Sequence, residues 1–206
     1  MSREVQVRFC EGRAVRSRPA THLIVHCSSE AQARHVLAGI AARMEQVGLA
    51  LHPAKTGIVY CKDNNRPARF ERTAFTFLGY TFRPRPARDR HGKTFLAFLP
   101  AISPQALKKI SLHVRRWRLH RWIYHTFGEV ARTINPVVVG WMQYYGRFYP
   151  SALYRLLARI NAYLVRWIRN KYRRYDKTRA ARRKFAEITS GYPRMLRHWR
   201  WVTTAW

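Results

Sequence analysis

The sequence predicts an α+β protein in two parts, a short mixed region of strands plus one helix followed by an all-α helical bundle. Three observations carry this. Short β-branched or alternating runs are confined to the first hundred residues, as in His22-Leu23-Ile24-Val25-His26-Cys27. After Ser103 the apolar residues recur at three- and four-residue spacing, the period of a helix face. The charge is also uneven: residues 101–206 hold 23 Lys+Arg against 3 Asp+Glu, whereas residues 1–100 hold 17 against 7. The expected division is residues 1–22 as a poorly specified N-terminal segment, 23–100 as the mixed region and 101–206 as the bundle.

Residues 1 to about 20 show mixed charge and no sustained period, which predicts at most a frayed strand. His22–Cys27 is a buried strand by its β-branched content. Ser28-Ser29-Glu30 starts a helix, with serine as cap and an acid in the first turn. Its Ala33, Val36, Leu37, Ile40 and Met44 share one apolar face, and Gly48 ends it. Two short extended segments flank Pro53. The alternation through Ala74–Phe82 reads as one strand, broken by Arg83-Pro84-Arg85-Pro86. A hairpin follows, turning at His91-Gly92, with Thr94–Leu99 as its outgoing strand.

Ser103-Pro104 is an N-cap followed by proline at the first helical position. Asn135-Pro136 repeats that pattern and predicts a second helix start. Ser151 opens a third helix whose Leu153, Leu156, Leu157, Ile160, Leu164, Trp167 and Ile168 hold the period for about six turns. Asp176 is the expected cap of a last, basic helix. The tail His198-Trp199-Arg200-Trp201 is expected to dock its aromatics on the bundle.

With 47% hydrophobic and 14% aromatic residues the chain can fill a core, yet 40 Lys+Arg against 10 Asp+Glu leave a formal net charge of +30. Such an excess repels itself unless a polyanion neutralises it. Nucleic acid is the expected polyanion. A ribosomal-type protein or a binder of anionic membranes shares the charge, but the membrane reading needs a segregated basic face, and here Trp and Arg alternate around the helices. Cys10, Cys27 and Cys61 are far apart and form neither a disulfide framework nor a zinc site. His22, His26 and His52 have no ligand-like grouping, so no metal is assigned to them. No apolar run approaches the ~18 residues of a membrane span, and the N-terminus lacks a secretory core. A cytoplasmic location is expected, with no membrane partner and no small-molecule substrate.

The candidate RNA-binding residues are those cations that have too few acids to pair with. They are Lys108, Lys109, Arg115, Arg116 and Arg118 on the first bundle helix, and Arg147 after the second. The third carries Arg155, Arg159, Arg166, Arg169, Arg173 and Arg174, and the fourth Arg182 and Arg183. Arginine suits phosphate through its planar bidentate fork. Tyr144 and Tyr145 point in different directions on a helix, one toward the core and one available to stack on a base. Gly140 and Trp141 read as packing residues, the glycine permitting close helix approach.

Three segments, in order, resemble group II intron reverse transcriptase/maturases. Leu23–Cys27 with its helix, and Gly48–Thr56, are similar to the end of the polymerase palm. Phe77-Leu78-Gly79-Tyr80-Thr81-Phe82 resembles the primer-grip hairpin. Ile134 to Tyr149, with Asn135, Pro136, Gly140 and Trp141, resembles the maturase motif of the X/thumb domain. The resemblance spans roughly residues 23 to 201. It implies a palm remnant followed by a thumb/maturase bundle, with group II intron RNA as partner.

The departures matter as much. The family carries Tyr-Ala-Asp-Asp just before Leu23; its carboxylates, with a third Asp upstream, hold two Mg²⁺ ions. Here the matching positions are Pro19-Ala20-Thr21-His22. Threonine lacks the charge that Mg²⁺ demands, and imidazole is a poor ligand for so hard a cation. Catalytic residues: none are expected, and Mg²⁺ is expected only for an intact polymerase or for the intron RNA itself. Residues 1–20 are expected to come from a truncated or frame-disrupted mobile-element gene. Val139 stands where family members often place a basic residue, and Lys55 resembles a position near the incoming nucleotide but is here a leftover charge. The family's zinc-containing endonuclease is also expected to be absent. The implied function is RNA binding that assists splicing. The alternatives are a reverse transcriptase completed by a separate upstream polypeptide, a generic basic RNA-binding protein, or an inactive gene remnant.

Overall fold

The computed structural model describes residues 5–10 and 22–204. Of the Pro19–His22 tetrapeptide, only the backbone of His22 falls among them. The fold is α+β. The chain divides into two compact units, Met1–Pro100 and Ala101–Trp206.

In the first unit, β1 (Val5–Cys10) lies at the centre of a sheet ordered β2-β1-β3, between β2 (His22–Cys27) and β3 (Gly57–Tyr60). Both pairings are antiparallel, Cys10 facing His22 and Val5 facing Tyr60. The expectation of at most a frayed strand at the N-terminus is therefore corrected. Val5, Val7 and Phe9 alternate with Gln6 and Arg8, a six-residue signal too short to decide by itself. Ladders on both edges decide it instead. Helix α1 (Glu30–Gln46) starts where expected: the Ser29 hydroxyl accepts from the Gln32 amide at 3.2 Å. Ala33 packs its buried side chain with Cys27, and Val36, Leu37 and Ile40 gather around them.

The second sheet corrects two expectations. Ala74–Phe82 is two strands, β4 (Phe75–Phe77) and β5 (Tyr80–Arg88), folded at Leu78 and Gly79. Those residues have φ of 47° and 79°, the paired left-handed geometry of a type I′ hairpin turn. Phe75 stacks on Phe82 with ring centroids 4.7 Å apart, and the Thr76 and Thr81 hydroxyls meet at 3.1 Å. Nor do Pro84 and Pro86 break β5. Alternation places residues 80, 82, 84 and 86 on the edge facing β4, and β4 ends at its pairing with Phe82. Neither proline therefore interrupts the β4–β5 ladder. The outgoing strand is β6 (Thr94–Ile102), reached through a turn in which Asp89 Oδ1 accepts from His91 and Lys93 amides at 2.8 and 2.9 Å.

The second unit holds α2 (Pro104–Trp117), α3 (Phe127–Tyr145), α4 (Ser151–Lys171) and α5 (Thr178–Gly191), with 3-10 turns at Leu119–Arg121, Arg173–Tyr175 and Arg197–Arg200. Ser103 caps α2 as expected, accepting from the Ala106 amide at 3.1 Å. Helix α4 is the most buried element; Leu153, Leu157, Ile160, Leu164, Trp167 and Ile168 are essentially inaccessible. Trp167 also donates its indole N–H to the Trp122 carbonyl at 2.7 Å, satisfying its polar tip. Arg173 and Arg174 lie beyond α4, in the following 3-10 turn.

Two helix starts differ from expectation. Asn135-Pro136 does not begin a helix; Pro136 lies inside α3, which starts nine residues earlier, at Phe127. The real start is a capping box: the Thr126 hydroxyl accepts from the Glu129 amide at 3.2 Å, and the Glu129 carboxylate accepts from the Thr126 amide at 2.7 Å. These bonds hold the Glu129 carboxyl below its ordinary range. Thr126→Ala is expected to lower stability by about 1 kcal/mol, read as a lower urea midpoint; an unchanged midpoint would remove the cap from the account. Likewise α5 begins after Lys177 without a side-chain cap, and it is the Asp176 main-chain carbonyl that accepts, from Arg169 Nε at 2.8 Å.

The tail docks through a buried polar hub. Asn161 Nδ2 donates to the Val202 and Thr204 carbonyls at 3.1 and 2.9 Å. Its Oδ1 accepts from His198 Nε2 at 2.8 Å and Trp199 Nε1 at 3.0 Å. That geometry makes Nε2 the protonated nitrogen of a neutral imidazole. Burial pushes the His198 pKa down to about 3, and its Nδ1 has no hydrogen-bond partner to welcome a second proton. The unfolded residue takes a proton below about pH 6.5, whereas the folded one resists until about 3. Stability from this residue is therefore complete above the upper value and lost progressively toward the lower. The slope is expected to reach about 1.4 kcal/mol per pH unit. Urea titrations across that window should show a flatter dependence for His198→Gln; parallel curves would sink the assignment.

Candidate nucleic-acid interface

The candidate cations are exposed throughout, but the fold brings only some together. Helix spacing sets two ridges. On α2, Lys108, Ser111 and Arg115 recur at three and four residues; on α4, Arg155, Arg159, Ala162 and Arg166 do the same. Where the ridges meet they line a groove of about 410 Å³ holding Lys108, Arg115, Arg159, Arg166 and Tyr163, with no acid among its lining residues. Arg159 donates to the Ser111 hydroxyl, tying the two ridges and fixing its own fork. The Arg166 guanidinium lies over the Tyr163 ring, 5.6 Å from its centroid. Seven residues on either ridge span about 10 Å of helix axis, roughly the rise of three nucleotides.

A neighbouring titratable group registers the field. His120, stacked at 6.2 Å on Tyr163, has its pKa lowered, first by burial and then by the charges of Arg121, Arg166 and Arg118. Two of the second unit's few acids are engaged elsewhere: Glu129 serves its own cap, and Glu187 pairs with Lys184 at 2.9 Å. That exposed pair contributes little, but it removes one of the few anions available for neutralising the arginines.

The other candidates are dispersed. Lys109 and Arg116 are exposed on α2 outside this groove lining, and Arg118 is the left-handed residue that closes the helix, with φ of 51°. Arg147, Arg155, Arg173 and Arg183 are exposed but share no concavity with the groove. Arg169 is committed to the Asp176 carbonyl, Arg174 lies over Tyr175, and Arg182 borders a different pocket beside α5. Tyr144 and Tyr145 divide as their angles predict. Tyr144 is exposed, whereas Tyr145 packs against the core, and burial raises its pKa. Trp141 stacks on Trp117 at 5.6 Å, a packing role.

Gly140 does not allow a close helix approach; the space around it is open. Among the described glycines of the second unit, the tightly packed one is Gly146, against the Trp201 ring. In the first unit, Phe77, Leu78, Gly79 and Tyr80 form the β4–β5 turn and its flanks. Among the described residues no His/Cys/Asp/Glu group could hold a metal, and no helix is long and apolar enough to cross a membrane.

Residues 107–185 match the family described as group II intron, maturase-specific domain. That segment is similar to the maturase-specific domain. No curated protein matches the chain. The matched segment runs from α2 into α5, so all four groove cations lie within it, while the tail that Asn161 holds follows it. Sequence reasoning missed Arg132, Arg197 and Arg200, which border a second concavity on α3. It also missed Asn161 and the hydrogen bond that His198, named only as part of the docking tail, makes to it. A polar residue at 161, interrupting the apolar face of α4, was the available signal for the hub.

Proposed function

We propose that this chain binds group II intron RNA through its maturase-specific domain and favours the splicing-competent RNA fold, without polymerase chemistry of its own. The observation that carries the reading is the acid-free groove between α2 and α4, lying within the matched family segment. Four cations there can contact successive phosphates, and Tyr163 supplies a ring beside them. The RNA performs the transesterification, so no side chain need act as acid, base or nucleophile. Mg²⁺ belongs to the RNA in this scheme, and the chain needs no cofactor. The mixed first unit is read as a remnant of a polymerase palm, with Pro19-Ala20-Thr21-His22 in place of the metal-binding carboxylates.

The test is splicing of the cognate intron transcript at limiting Mg²⁺, with and without the purified chain. Faster splicing is the expected result. Equal affinity for unrelated duplex RNA, with no effect on splicing, would favour a generic basic binder. Primer extension by the chain, alone or mixed with an upstream polypeptide, would overturn the denial of polymerase function.

A further inference from the structure

A second concavity, distinct from the basic groove, lies between α3 and the 3-10 turn Arg197–Arg200. Its volume is about 600 Å³, within the roughly 300–1,000 Å³ of ligand sites. Pro136, Val139 and Met142 line it with apolar surface, and Arg132, Arg197 and Arg200 add three cations. No acid contributes to the lining.

Asn135-Pro136 builds both walls. Proline has no N–H, so the Arg132 carbonyl, one turn earlier, lacks its usual i+4 donor. Asn135 fixes the opposite wall: its Nδ2 donates to the Met195 carbonyl at 2.9 Å, and its Oδ1 accepts from the Arg197 amide at 3.0 Å. The two arginines of the 3-10 turn are thereby held against α3 before any ligand arrives, which reduces the ordering cost of binding. A helix interior gains nothing in stability from proline, and the pair's long-range bonds point to a built cavity.

The chemistry of the walls selects a ligand class. An apolar floor suits the face of a planar ring, and the cations suit a phosphate. Paired RNA would engage the cations but keep its base faces stacked away from the floor. We propose that this cavity receives a single unpaired, flipped-out nucleotide of the bound RNA, the base over Pro136 and Val139 and the phosphate among the arginines. The inference rests on the RNA-binding reading above.

The experiment compares a labelled RNA hairpin carrying a single-nucleotide 2-aminopurine bulge with the same hairpin fully paired. The chain is expected to bind the bulged form about tenfold more tightly, the low end of what one base contact supplies, with a change in 2-aminopurine fluorescence. Val139→Trp, which fills the cavity, should abolish the preference and leave affinity for the paired hairpin unchanged. Arg132→Gln, a milder change, should reduce the preference if the bulky variant fails to fold. Equal binding of both hairpins by the unaltered chain would overturn this proposal alone; binding of neither would overturn the RNA reading with it. Displacement of the bulged hairpin by equimolar free AMP would reassign the cavity to a small nucleotide and likewise overturn the proposal.

Discussion

Asn161→Leu is expected to destabilise the second unit by about 3–5 kcal/mol, near the upper end for single substitutions. The asparagine has no solvent exposure and makes four hydrogen bonds, two as donor and two as acceptor. Leucine keeps the branching at Cγ but leaves the His198 and Trp199 donors and two main-chain carbonyls without their partner. Each buried group left unmade costs about 1–3 kcal/mol, and relaxation of the tail toward water limits the total. Urea unfolding near neutral pH measures the loss. Limited proteolysis should show new cleavage after about residue 190, because Leu196, Trp199 and Val202 would leave the core they now share with α4. A loss below about 1 kcal/mol would show that the hub is incidental to docking. The consequence reaches the surface as well: Arg197 and Arg200 are carried by the same segment, so its release would dismantle one wall of the α3 cavity.

The largest effect on binding is expected from replacing Lys108, Arg115, Arg159 and Arg166 together by glutamine. Each phosphate contact releases condensed counterion, so four lost contacts should flatten the log-affinity against log-salt slope by about 3 and weaken binding about 10²-fold or more near physiological salt. Folding should change little, since these side chains are exposed and surface substitutions usually lie within about 0.5 kcal/mol each. Arg159 is the exception to watch because it also holds Ser111. The discriminating control is an equal charge change at Lys109, Arg116, Arg147 and Arg183, which do not line the groove. Loss of the same slope from both sets would mean that binding follows net charge rather than the groove. Retention of the steep slope in the groove variant would remove the α2–α4 surface from the proposed function.

Much of the candidate site was legible in outline. The heptad-like apolar series from Leu153 to Ile168 placed arginines at 155, 159 and 166 on the opposite face of one helix, and α2 was legible in the same way. Which cations face each other was not, because pairing between two helices depends on how their ridges meet rather than on either period. The cavity on α3 was hidden for a related reason. Arg132 and Arg200 are far apart in the chain, and they become neighbours through docking of the tail, which includes the bonds from Asn135 to Met195 and Arg197.

The sequence by itself determined the +30 charge, the division into a strand-containing part and a helical part, the Ser29 and Ser103 caps, and the register of α4. These follow from composition and from interactions spanning three or four residues. Only the tertiary structure decided that Val5–Cys10 is a central strand, that two prolines fit inside β5, and that Asn135-Pro136 lies within a helix. Each of those outcomes turns on another part of the chain: two flanking strands, a neighbouring strand that ends before the prolines, and a tail some sixty residues downstream. Short-range preferences propose an element; a distant hydrogen bond or its absence settles whether the proposal survives.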